Sequence, residues 1–232
     1  MREIVFDTET TGLNPLGGDR MVEIGCVEIF NRVETGRHFH AYFNPGRDMP
    51  LEAEAVHGLS TVFLSDKPFF EERAEELLDF LGDAPLVAHN AAFDFGFLNH
   101  ELGRCGRAAV CMSRMVDTLA IARTRHPGAK HSLDALCIRF GVDRSHRVKH
   151  GALLDAQLLA QVYVELTGGR QIGLGLVADA GSVSVDASQH PVTIREPRPA
   201  RPHQANTEEL SRHRAFIAKL ANPIWARFAP IG

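Results

Sequence analysis

Four acidic residues and one histidine, spread from residue 7 to residue 155, are the residues of this chain best suited to chemistry. Asp7 and Glu9 stand in FDTETTGL, Asp94 in HNAAFD, and His150 and Asp155 in HGALLD. Carboxylates gathered from separate segments repel one another unless a positive charge holds them together. A pair of hard divalent cations, Mg²⁺ or Mn²⁺, is the simplest such charge, and a two-ion site suits cleavage of phosphodiester bonds. Asp7 and Glu9 alternate at a strand end, so both aim at one face of a sheet. Asp155 lies five residues beyond His150, roughly 140° around a helix. His150 is therefore expected before the helix start, leaning over the site from a loop. A neutral imidazole with a pKa of about 6.5 can take a proton from water there. Singly, each motif has an ordinary reading: a surface acid pair, an aspartate favoured by a helix dipole, a structural histidine. Their concurrence, each at an element end, favours a site.

The elements that must position these groups are legible in outline. EIVFD (3–7) reads as a buried strand, and Met21 to Phe30 and Arg37 to Asn44 as two more, with a turn over 31–36. Phe69 to Leu81 has the pattern of an amphipathic helix between Pro68 and Gly82. A short strand over 85–88 leads to a helix from Ala91 to Leu102, closed by Gly103. Val116 ends a further strand, and 118–125 is helical. Ser132 caps a helix to about Phe140, closed by Gly141. A long helix runs from Gly151 to Leu166. Three strands followed by alternating helix and strand predict a mixed α/β sheet covered by helices.

Composition bounds the rest. The chain has 232 residues, 44% of them hydrophobic, which allows one packed domain with extra segments. Its net charge of -4 carries no bulk sign of nucleic-acid binding, although acids engaged with cations would distort that sum. Arg139, Arg144, His146, Arg147, Lys149 and His150 crowd one stretch beside the proposed site, suited to phosphate contacts or simply to solvation. The four cysteines form no CxxC pair and no zinc spacing, and Cys26 and Cys137 sit in apolar runs that belong in a core. A strand-like start without a signal peptide, and no apolar run long enough to span a membrane, point to the cytoplasm.

These motifs resemble those of the DEDD exonucleases of the DnaQ-like group, within the ribonuclease H-like superfold. Asp7 to Gly12 is similar to the first motif, His89 to Asp94 to the second, and His150 to Asp155 to the third in its histidine form. Four longer stretches are similar to the epsilon subunits of bacterial DNA polymerase III: EAEAVHGLS at 52–60, DTLAIAR at 117–123, HSLDALCIRFGV at 131–142 and HGALLDAQLLAQVYVELTGG at 150–169. The resemblance implies a ribonuclease H-like fold over residues 1–169. It implies proofreading 3′–5′ hydrolysis of a frayed or mismatched DNA primer end, releasing nucleoside 5′-monophosphates. Asp7, Glu9 and Asp155 would hold one cation, Asp7 would bridge to a second that Asp94 supports, and His150 would be the general base. Glu52 and His57 would approach the terminal nucleotide, and Thr10, Thr11, Gly12, Asn90 and Phe93 would line its pocket.

The remainder of the chain reads as a tether. Gln171, Leu174 and Leu176, within residues 170–176, resemble the anchors of a peptide that binds the beta sliding clamp. Residues 177–205 turn rich in Ala, Ser and Val and then in Pro and Arg, the composition of an extended or disordered linker. Within residues 206–232, Thr207 to Leu220 returns to a helical pattern capped by Thr207 and is followed by NPIWARF with Trp225; this end resembles the segment that binds the polymerase alpha subunit. A small theta-like subunit is a further partner of some such proteins. The catalytic motifs alone leave open a stand-alone ribonuclease or oligonucleotide-trimming enzyme, and an inactive subunit that only bridges clamp and polymerase.

Overall fold

The computed structural model describes residues 1–145, 149–169 and 204–221. The chain divides into two compact units, Met1–Leu176 and Val177–Gly232. The first is built on a five-stranded sheet in the order β3-β2-β1-β4-β5. Strand β1 (Arg2–Thr10) is central; β2 (Met21–Phe30) and β3 (Val33–Tyr42) join it antiparallel, and β4 (Leu86–Ala88) and β5 (Met115–Asp117) parallel. This is the expected mixed sheet.

Alternation along β1 sends its residues to two different cores. Ile4 and Phe6 are buried against α3 (Phe70–Leu81) and α4 (Ala91–Arg104). Val5 is buried on the opposite face with Val27, Ile29 and Val87, against Ala156, Leu159 and Ala160 of α7 (Ala152–Leu166). Asp7 and Glu9 continue the α7 face, so the period that builds the core also aims the acids. Helix α7 is apolar on most of its circumference because it packs on the sheet and also on α6 (Leu133–Phe140), through Leu158, Val162 and Leu166. Cys26 and Cys137 are core residues, as expected.

Several boundaries differ from the sequence reading. Strand β3 begins at Val33, not Arg37, because Asn31 and Arg32 both adopt positive φ (50° and 68°) and close the hairpin in two residues. Its exposed first half, Val33 to Arg37, has no apolar alternation, Val33 being its one apolar residue. Gly103 does not end α4, which runs to Arg104; the left-handed residue past it is Gly106, at φ 67°. Two short helices were not foreseen: α1 (Leu51–His57), between Pro50 and a left-handed Gly58, and α2 (Thr61–Leu64). Helix α5 (Thr118–Arg125) and α6 match the reading, with Ser132 capping α6 and Gly141 left-handed after it. In the second unit, α8 (Thr207–Ile217) is capped by Asn206 rather than Thr207, with Glu209 returning the bond to the Asn206 N–H. Gln171, Leu174, Leu176 and Trp225, and all but the last two residues of the expected linker, lie outside the described residues.

Candidate active site

Three elements deliver the acids. β1 brings Asp7 and Glu9, and a register shift follows between Glu9 and Thr10, a bulge of the kind that re-aims side chains beside active sites. Strand β4 pairs parallel with β1 and hands the chain to α4, whose first turn holds Asp94. Phe95 fixes that helix by an edge-to-face contact with Phe6, centroids 5.7 Å apart. Helix α7 carries Asp155 in its first turn, and His150 precedes its Gly151 cap, as the spacing requires.

Donor atoms of Glu9, His150 and Asp155 lie within 4.8 Å of one another, a spacing compatible with a shared cation. His150 Nδ1 stands 3.3 Å from Asp155 Oδ2, with the imidazole exposed and the carboxylate buried. The His150 backbone N–H donates to Val56 O at 3.4 Å, which ties its loop to α1. Asp7 carries a carboxyl held well above the usual range, first by burial and then by the charges of Asp94, Glu9 and Asp155. Neither Asp7 nor Asp94 is in the close group of three; Asp94 lies on the first turn of α4. It reaches the cluster from the face of Thr8, whose hydroxyl donates to its Oδ1 at 2.7 Å, and burial raises its pKa to about 7. Acids crowded this way are disfavoured as bare charges, and the oxygen-rich donor set fits hard divalent cations.

Two cavities flank the acids. One, of about 340 Å³, is lined by Thr10, Thr11, Gly12, Glu52, His57 and Phe93 of the expected pocket, together with Glu9. Thr10 Oγ1 donates to Gly12 O, and Thr11 Oγ1 donates to Asp19 Oδ1, so both threonines brace their own loop. A Cβ at Gly12 would stand 2.4 Å from the Asp19 carboxylate, so any larger residue there must displace that side chain. His57 is buried, accepts the Leu59 N–H at Nδ1, and leaves a buried Nε2 without a hydrogen-bond partner. Burial lowers its pKa against an opposing interaction with the Thr10 backbone; because Nδ1 accepts, the neutral ring carries its proton on Nε2. Asn90 does not line this cavity. It takes a left-handed φ of 65° at the start of α4 and donates its N–H to Asp117 Oδ1, so its nucleotide contact rests on the resemblance alone.

The second cavity, about 230 Å³, is bordered by Asp7, His150 and Asp155, and by His89, Ser132 and Asp134, which the sequence reading did not assign. His89 is held by Thr118 Oγ1 at 2.9 Å; that hydroxyl itself donates to Ala88 O. Arg144 of the basic stretch pairs with Asp134 at 2.8 Å, while His146 and Arg147 lie outside the described residues. A further buried acid also escaped notice. Glu23 faces Glu9 across the β1–β2 ladder and is bonded to His40 Nε2 at 2.7 Å. Its only sequence signal was a charge inside a strand-like apolar run. A larger cavity of about 570 Å³ beside Arg20 holds none of the expected residues, and Glu101 already binds that guanidinium.

Comparison with known proteins gives the family. The family model described as "Exonuclease" matches residues 4–163. The DNA polymerase III subunit epsilon of Rickettsia felis is 48% identical over 223 residues, covering 95% of this chain and 97% of the relative. The Escherichia coli protein of the same name is 42% identical over 224 residues, covering 93% and 92%. The chain belongs to the exonuclease family of the DNA polymerase III epsilon subunits. Its fold is also shared beyond these relatives. Exonuclease X in complex with 5′ overhanging duplex DNA aligns with a TM-score of 0.56 at 24% identity, over 71% of this chain and 90% of that one. Escherichia coli exonuclease I in complex with a dT13 oligonucleotide aligns with a TM-score of 0.61 at 16% identity, over 72% and 40%. Those two likenesses speak for the ribonuclease H-like α/β fold of the family. Among the described residues, no helix is long and apolar enough to cross a membrane.

Proposed function

We propose that this chain is the proofreading 3′–5′ exodeoxyribonuclease of a bacterial replicative DNA polymerase, with Asp7, Glu9, Asp94 and Asp155 holding two divalent cations. The observation that carries this reading is the convergence of Glu9, His150 and Asp155 within 4.8 Å, in a chain similar to epsilon subunits over nearly its whole length. Bound Mg²⁺ or Mn²⁺ would supply an acidified water and neutralise charge at the scissile phosphate. His150 is the general base: it is exposed to incoming water, and Asp155 sits beside its Nδ1. The cavity lined by Thr10, Thr11, Gly12, Glu52, His57 and Phe93 receives the terminal nucleotide. Its partly apolar walls suit a base and sugar, while Glu9 stands at the edge where the phosphate must lie. A paired end must unpair to enter, at a cost of a few kcal/mol by analogy with base extrusion. Mismatched ends therefore enter more readily, and each cycle releases a nucleoside 5′-monophosphate.

Residues 1–169 form the nuclease in this reading. Residues 170–176 engage the sliding clamp through Gln171, Leu174 and Leu176, residues 177–205 link, and residues 206–232 with Trp225 bind the polymerase alpha subunit. Tethering raises the local concentration of nuclease at the primer end without tight DNA binding, which accords with the acidic net charge. A small theta-like subunit is a further candidate partner.

The test is digestion of a 5′-labelled DNA primer bearing a 3′ mismatch, with and without Mg²⁺, beside Asp155→Ala. Cation-dependent shortening one nucleotide at a time, slower on matched duplex and absent in the variant, is expected. Shortening of RNA but not DNA would replace proofreading with ribonuclease action, and silence on both would leave only a bridging role. Removing residues 170–232 should abolish polymerase and clamp association while nuclease activity survives.

A further inference from the structure

We propose that Gly25 is a positioning residue that sets the width of the cation site and through it the choice of ion. Gly25 is the ladder partner of Asp7 on the neighbouring strand. A Cβ built on it would stand 2.3 Å from Leu153 N and Cα and 2.4 Å from the Ala152 carbonyl carbon. These are backbone atoms of the first turn of α7, so no side chain can swing aside to make room. Further along the same face of β2, Val27 and Ile29 carry full side chains and meet Ala156, Leu159 and Ala160. The helix thus closes to backbone contact with the sheet only at its N-terminal end, over Gly25. Asp155 rides on that end, two residues beyond Leu153, and Asp7 lies directly beside Gly25. Any side chain at position 25 must lift α7 by about 1 Å to restore ordinary contact, and most of that lift opens the gap between the helix acid and the strand acids.

This role presupposes the cation site proposed above. Mg²⁺ demands near-ideal octahedral geometry at short oxygen distances, while Ca²⁺ accepts longer and more irregular ones. Widening the site should therefore penalise the two ions unequally. A residue that merely supports the fold would not alter their ratio.

The experiment measures Mn²⁺ binding to the full chain, without DNA, by electron paramagnetic resonance, with Mg²⁺ and Ca²⁺ as competitors. Gly25→Ala is compared with the native chain and with Leu159→Ala, a core truncation further along α7. A second variant, Ala156→Val, adds bulk between α7 and the sheet one residue beyond Asp155, and carries the test if Gly25→Ala does not fold. Expected for either folded variant is a loss of Mg²⁺ affinity of roughly tenfold or more with Ca²⁺ affinity changed less than about threefold, and a native ratio for Leu159→Ala. A folded Gly25→Ala or Ala156→Val with the native ratio, or with both ions weakened in proportion, overturns the role of Gly25. Absence of Mn²⁺ binding to the native chain would instead remove the cation site itself, and the positioning role with it.

Discussion

The Thr8 hydroxyl donates to Asp94 Oδ1 at 2.7 Å, joining the residue between the two strand acids to the acid on α4. Both groups are buried. Thr8→Val keeps the shape and deletes the donor, leaving the carboxyl with one fewer partner in a poorly solvated place. A stability loss of about 1–3 kcal/mol is expected in denaturant titrations without divalent ions, largely restored by Thr8→Ser. A wild-type midpoint for Thr8→Val would show that the bond contributes nothing to the fold.

His150 stands near enough to Glu9 and Asp155 to be either a proton acceptor or a cation ligand. The general-base role predicts that His150→Gln lowers kcat by about 10² to 10⁴-fold with little change in Mn²⁺ affinity. A tenfold weakening of Mn²⁺ binding alongside lost activity would make His150 a ligand instead.

The buried Nε2 of His57 has no close hydrogen-bond partner, and the residue lines the nucleotide cavity. His57→Asn can retain an acceptor for the Leu59 N–H while removing the Nε2 donor. The KM for single-stranded DNA should rise by roughly tenfold, the equivalent of one lost hydrogen bond, with Tm nearly unchanged. Should the KM stay fixed while Tm falls, His57 is structural.

Away from the site, Glu28 is gripped by Arg2, Thr35 and Arg37. Burial alone would raise its pKa, but the bonds from Arg2 and Thr35 and the guanidinium charges outweigh that and hold it below the ordinary value of 4.5. The charged form is thus favoured in the folded chain. Its stabilisation is complete above about pH 4.5 and is lost as the pH falls below that. Glu28→Gln should cost roughly 1 kcal/mol at pH 7, since Arg37 is largely exposed and screened. It should also flatten the acid limb of a stability–pH curve. An unchanged acid limb would exclude Glu28 from the linkage.

The sequence by itself determined the period-two run that sends Asp7 and Glu9 to one face, the Ser132 and Gly141 boundaries of α6, and the place of His150 ahead of α7. These are local properties: alternation, capping and chain punctuation act within a few residues and leave their mark in residue type. It also carried the motifs whose spacing resembles a nuclease family. Tertiary structure decided what depends on residues far apart in sequence. The group of Glu9, His150 and Asp155, the diversion of Asp94 toward Thr8, and the facing of Glu9 by Glu23 follow from strand register and helix docking. So does the contact of Gly25 with α7: a glycine in a strand says that something approaches, but only the fold says that it is the helix carrying Asp155.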